Sequence, residues 1–310
     1  MGVMRGWRAA ALALSAVLSA AWAAPAAAGP GAAEIVVDAE SGRVLHARAA
    51  DRLRRPASIA KVMTLFLVFD ALDAGRLRLD QRLTVSRRAA SQVPTRLALR
   101  AGSTITVRDA MRAVAVKSAN DAAVVLAEKL GGDERRFAEL MTAKARKLGM
   151  TNTVFGNASG LPDKRTWTTA RDISKLARAV LRTHPDRYAL FGRRALVWKD
   201  RSYPNHNRLL GRVTGVDGIK TGYTVEAGFT LAASAKRAGR RVVAVALGFP
   251  SGQARDDRVG ALIEDGFSKV RRDVALERSH RATKVVQAES PKRTPSGAKG
   301  RAASASAARS

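Results

Sequence analysis

Ser58 and Lys61 stand three residues apart in the segment PASIAKVMTLFLVF, residues 56–69, where Lys61 is the one charged side chain. Residues at that spacing share a helix face, so a helix brings the hydroxyl and the amine together. An ammonium ion inside so apolar a helix loses its hydration, which favours the neutral amine. A lysine depressed toward neutrality serves as a base near pH 7. Pro56 suits the first helical turn, where its missing N–H costs nothing. Ser58 then lies at the end whose free N–H groups and dipole favour negative charge. A nucleophile, an adjacent base and an oxyanion-stabilising end are the parts of an acyl transfer. Taken alone, the same residues also read as a helix cap and a lysine that snorkels to the surface.

Two further groupings bear on that choice. Ser118-Ala119-Asn120 interrupts two helical stretches. Its hydroxyl suits proton relay, and its carboxamide suits holding both a lysine and a substrate carbonyl; by itself it is equally an ordinary cap. Lys220-Thr221-Gly222 puts a cation, a hydroxyl and a residue without a side chain at a strand edge. Such an edge seats a carboxylate close to the backbone, although a basic turn has the same composition. Each grouping is weak singly. Together and in this order they narrow the chemistry to acyl transfer.

The elements that must position these residues follow from periodicity. Residues 33–48 read as strand, turn, strand, with Glu40-Ser41-Gly42 as the turn. A helix is expected from Ser58 to about Ala74, closed by Gly75. Further helices are expected over 107–116, 121–130, 137–148 and 171–181. Residues 229–236 and 241–249 read as a hairpin and 253–270 as a closing helix. The fold class is therefore α/β in the α+β sense: one antiparallel sheet built from both termini and flanked by helices, with a mainly helical subdomain inserted.

The chain has 310 residues and no cysteine, which excludes disulfides, thiolate metal sites and a cysteine nucleophile. Arg5 and Arg8, the apolar stretch 9–24 and the small-residue sites around 21–23 and 26–28 have the order of an export signal. Residues 1–28 are read as that signal, 29–272 as the catalytic domain and 273–310 as a basic, disordered tail. The location expected is the periplasm or the extracellular wall, with peripheral contact to the membrane. A net charge of +29 favours polyanionic partners. Export and the lack of interleaved aromatic and basic residues set nucleic acid aside, leaving anionic wall polymer or lipid for the tail. His46, His184, His206 and His280 have no metal-ligand spacing, so neither metal nor cofactor is expected.

The three groupings resemble those of the penicillin-binding protein and serine β-lactamase superfamily, whose Ser-x-x-Lys, Ser-x-Asn-type and Lys-Thr-Gly motifs they match. Over about residues 33–269 the chain is similar to the D-alanyl-D-alanine carboxypeptidases, peptidase family S11. The segments 56–64, 118–123, 148–153, 157–161, 205–210 and 217–224 carry that likeness. The resemblance implies the β-lactamase/transpeptidase-like fold and a serine-type D-Ala-D-Ala carboxypeptidase acting on peptidoglycan stem peptides, with β-lactams as inhibitors. It implies Ser58 as acyl-ester nucleophile, Lys61 as general base and Ser118 as proton relay. Asn120 would hold Lys61 and the substrate amide. Lys220, Thr221 and Gly222 would bind substrate, the backbone N–H groups of Ser58 and Tyr223 would form the oxyanion hole, and Arg255 would be a carboxylate ligand. Ala60 and Ala119 depart from the family's commoner Thr and Gly, at positions that supply no catalytic side chain. Larger members add a β-rich domain and an amphipathic anchor; the chain resembles the single-domain members, some of which are endopeptidases.

Three alternatives share these motifs. A D,D-endopeptidase cutting peptidoglycan crosslinks uses the same chemistry. A class A β-lactamase would add a Glu-x-x-Leu-Asn segment, which is absent between Asn120 and Lys220. An inactive wall-binding homologue would have little reason to keep Ser58, Lys61, Ser118, Asn120 and Lys220 together.

Overall fold

The computed structural model describes residues 31–289. The expected signal at residues 1–28 and the final part of the tail, 290–310, lie outside the described residues. The chain enters as an antiparallel hairpin, β1 (Ala33–Asp38) and β2 (Val44–Arg48). A 3-10 turn, Ala57–Ile59, leads into α1 (Ala60–Asp73). The inserted part holds β3 (Arg82–Thr84), α2 (Arg87–Ala90), β4 (Thr104–Thr106), α3 (Val107–Arg112), α4 (Asn120–Gly131) and α5 (Glu134–Lys147). It continues with α6 (Ala170–Thr183), α7 (Pro185–Tyr188) and the hairpin β5 (Ala195–Trp198) and β6 (Arg201–Pro204). The chain then returns through β7 (Val216–Thr224), β8 (Gly228–Arg237) and β9 (Arg240–Phe249) to α8 (Gly252–Glu289).

The main sheet runs β2-β1-β9-β8-β7, all antiparallel. Both termini thus build one sheet, as expected. β9 explains why its sequence lacks polar alternation: Val243, Val245 and Leu247 face the core shared with α1 and α6, whereas Val242, Ala244 and Ala246 face the one shared with α8. A strand covered on both faces reads as a continuous apolar run. In α1, Phe66 and Phe69 are almost fully buried, each contributing roughly 2–3 kcal/mol of apolar transfer.

Two expectations change. The helix expected over 107–116 splits: α3 stops at Arg112, a π-helical turn occupies Ala113–Lys117, and Ser118 turns left-handed at φ 62°. The closing helix runs to Glu289, so the segment read as a disordered tail from residue 273 begins as helix. Residues 267–289 contain neither Gly nor Pro and carry several Arg, Ala, Lys and Glu, so helix propensity sustains the backbone without an apolar period.

Candidate active site

Strand β7 and the turn before α1 come together around Ser58. A Cβ on Gly222 would lie 2.8 Å from the Ser58 backbone nitrogen and 3.0 Å from the Ala57 Cβ, so only glycine lets the strand approach this closely. Ala57 itself holds φ 46°, a left-handed conformation that costs a residue with a Cβ about 1–2 kcal/mol. That strain sits directly before the Ser58 hydroxyl.

Lys61 is completely buried. Its Nζ lies 2.9 Å from Ser58 Oγ, 2.7 Å from Asn120 Oδ1 and 2.6 Å from the Ser159 carbonyl oxygen. The last two atoms only accept. The Asn120 carboxamide cannot be turned round, because its Nδ2 donates to the Val93 carbonyl at 2.9 Å. A neutral amine has two N–H bonds and one lone pair. Asn120 and Ser159 take the two N–H bonds, and the lone pair is left for the Ser58 hydroxyl. Burial, then the neighbouring charge of Lys220, hold the Lys61 amine well below the usual lysine range, with Asp121 opposing in part. The three contacts suit an ammonium as well, with Ser58 Oγ as third acceptor; burial and the charge of Lys220 are what favour the neutral amine.

Lys220 is also buried, its Nζ donating to the Thr221 carbonyl at 3.0 Å. Burial, then Arg255, pull its amine down to about 7. A cleft of about 720 Å³ lies above these two lysines and is lined by Ser58, Ser118, Asn120, Thr221, Gly222, Tyr223 and Arg255. Lys61 and Lys220 do not line it; Lys61 touches the lining residues Ser58 and Asn120, and Lys220 touches Thr221. Ser118 is held by its own carbonyl, which accepts from Thr95 Oγ1 at 2.8 Å. Tyr223 is half-exposed and its ring centre is 4.3 Å from that of Phe229. Arg255, at the start of α8, donates Nε and Nη2 to Asp256 Oδ1 at 2.9 and 2.7 Å.

The structure therefore brings all nine sequence-predicted site residues to one place. It adds others that sequence reasoning missed. The Ser159 carbonyl is a backbone atom and leaves no signature in residue type. The loop at 93–95 clasps Asn120, whose N–H donates to the Thr95 carbonyl at 2.7 Å. Asp121 fixes that loop by accepting from the Leu97 and Leu99 backbone N–H groups, each at 3.1 Å. His206 and Arg208 line the cleft from the loop after β6. Burial and then the charge of Lys220 lower the His206 imidazole to about 4, so it is neutral at pH 7.

Residues 21–251 match the family described as D-alanyl-D-alanine carboxypeptidase. The chain is 32% identical over 260 residues to D-alanyl-D-alanine carboxypeptidase DacF of Bacillus subtilis, covering 81% of this chain and 66% of that protein. It is 34% identical over 240 residues to DacC of Escherichia coli, covering 75% and 60%. Among solved structures, DacD from Francisella tularensis aligns with a TM-score of 0.74 at 30% identity, covering 75% of this chain and 69% of the other. Penicillin-binding protein D2 from Listeria monocytogenes in its cefotaxime-bound form aligns at 0.70 with 33% identity, covering 76% and 96%. Matches to these curated relatives span between 60% and 66% of their length.

Proposed function

The chain belongs to the D-alanyl-D-alanine carboxypeptidase family, and on that premise we propose that it is a serine-type peptidase removing the terminal D-alanine of peptidoglycan stem peptides. One observation carries this reading: both N–H bonds of a neutral Lys61 are spoken for, which aims its lone pair at Ser58. In the proposed cycle Ser58 Oγ attacks the carbonyl carbon of the penultimate D-alanine while its proton passes to Lys61 Nζ. The backbone N–H groups of Ser58 and Tyr223 stabilise the oxyanion. The C–N bond then breaks, Ser118 helps return the proton to the leaving amine, and water hydrolyses the acyl-enzyme. Thr221 and Arg255 take the terminal carboxylate, and the buried Lys220 charge supports both that carboxylate and a neutral Lys61. β-Lactams would acylate Ser58 in the same way and hydrolyse slowly.

Residues 1–28 would direct export to the periplasm or wall, and the basic segment after residue 272 would give salt-sensitive attachment to anionic wall polymer or lipid. The net charge of +29 supports the second point. The deciding experiment is labelling with a fluorescent penicillin together with mass analysis of a digested pentapeptide. Wild type should form a stable adduct and release one D-alanine, and Ser58→Ala should do neither. No labelling of wild type would overturn the reading.

A further inference from the structure

The cleft wall holds two arginines whose surroundings differ. Arg255 is 6% exposed and its guanidinium is matched by Asp256. Arg208 is exposed and, among the described residues, has neither a carboxylate in ion-pair range nor a hydrogen bond from its guanidinium. No Asp or Glu lines the cleft to compensate it. Unpaired arginines are ordinary on the surface of a chain with a net charge of +29. Arg208 is set apart by its position in the cleft that contains Ser58 and by the rigidity of its loop. Asn207, 2% exposed, donates Nδ2 to the Gly218 carbonyl at 3.1 Å, accepts from the Leu209 N–H at 3.2 Å, and donates its own N–H to Asn205 Oδ1 at 2.9 Å.

Position along β7 says which side of the reaction Arg208 serves. Gly222 abuts Ser58; Thr221, in the proposed carboxylate seat, comes next, then Lys220. Gly218, which anchors the Arg208 loop, lies beyond them in the same direction. The loop that carries Arg208 is thus anchored past the proposed carboxylate seat, which in the proposed substrate orientation is the leaving-group side. A departing D-alanine has a single carboxylate, already provided for by Thr221 and Arg255, and leaves Arg208 with nothing to bind. His206 beside it is neutral at pH 7 and adds no positive charge of its own.

We infer that Arg208 forms an anion subsite for a second carboxylate on the leaving group, so that the site also takes peptides whose leaving amine belongs to a larger, acidic residue, as in a peptide crosslink. The inference rests on the peptidase reading above. The chemistry is unchanged: the Ser58 ester forms, the amide C–N bond breaks, the leaving amine takes the proton, and one water releases the acyl group. A guanidinium meeting a carboxylate makes charge-assisted, often bidentate hydrogen bonds that a neutral isostere cannot match.

Two synthetic peptides with the same acyl half test it, one ending D-Ala-D-Glu and the other D-Ala-D-Gln. Wild type should prefer the D-glutamate peptide by about tenfold in kcat/KM, a difference of about 1.4 kcal/mol. Arg208→Gln should bring that ratio to about one, and Arg208→Lys should retain part of it. The ratio is internal to each variant, so a general loss of activity cancels. Equal rates in wild type, or a preference that survives Arg208→Gln, would overturn the subsite. Should wild type label with penicillin and trim pentapeptide yet show no preference, the subsite alone fails. If it neither labels nor trims, both readings fail.

Discussion

Two clusters of buried charge, one around Glu34 on β1 and one formed by Lys61 on α1 and Lys220 on β7, are built on opposite principles. Glu34, on β1, is fully buried but ringed by two arginines and an imidazole: Arg258 donates Nε to Oε2 at 3.1 Å and Nη2 to Oε1 at 2.6 Å, Arg48 donates at 3.2 Å, and His46 lies 2.8 Å away. Burial alone would raise its carboxyl; the hydrogen bonds from Arg258, Arg48 and His46 outweigh that and bring it to about 2. Lys61 and Lys220 are as deeply buried, yet each lies near another cation and, among the described residues, neither has a carboxylate partner in ion-pair range. The first cluster stabilises the native state by keeping its charge. The second destabilises its charge, which pushes the amine beside the Ser58 hydroxyl toward its neutral form. Compensation marks a structural ion cluster, and withheld compensation marks a site that needs a base.

The largest expected effect comes from Lys61→Met, which keeps volume and removes the base. We expect acylation by a fluorescent penicillin to slow by about 10³-fold, while the melting temperature is no lower than wild type, because a buried amine that must shed its proton on folding is gone. A matching loss of stability would erase the contrast between the clusters. The same exchange at Glu34 should do the reverse. Glu34→Gln leaves Arg258 and Arg48 without an acid and should cost about 3 kcal/mol at pH 7, read by urea unfolding, with little change in acylation per folded molecule. The sign follows from the shift: with the folded value near 2 against 4.5 unfolded, this stability is complete above about pH 4.5 and is lost as pH falls toward 2. The variant should show a flatter stability profile across that window.

A smaller effect concerns pH and the two lysines. Acylation should rise with pH as Lys61 loses its proton, and fall above about pH 7 as Lys220 loses its own. Replacing Lys220 by Arg, which stays charged, should move the alkaline limb to higher pH. An unmoved limb would assign it to another group. The smallest effect expected is at Gly222→Ala. Its Cβ would meet the Ser58 nitrogen, so penicillin labelling should slow roughly 10-fold or more with a stability loss of about 1–3 kcal/mol.

Much of the site was legible because its chemistry depends on residue type at fixed spacing. Ser58 and Lys61 share a face for any helix, and the apolar run around them already demands that Lys61 be buried. The double-sided burial of β9 was legible in the same way, from a continuous apolar run. The short pairs β3 with β4 and β5 with β6 were not anticipated: three or four residues are too few to show a period. The extension of α8 was missed because a helix without an apolar stripe looks like a polar tail in composition.

By itself the sequence determined the three motif groupings, the order of the longer strands and helices, and the absence of any charge but Lys61 over residues 56–69. Those depend on side-chain identity and on periods of two and 3.6 residues. Tertiary structure alone decided that the Ser159 carbonyl and Asn120 Oδ1 contact the Lys61 amine, that Lys220 is buried outside the cleft wall, and that Arg208 lies in that wall with no ion-pair partner among the described residues. Backbone carbonyls are present at every residue, and whether a charge finds a counter-ion depends on segments scores of residues apart. Neither is written in local spacing; both are set when the sheet closes β7 against the turn that carries Ser58.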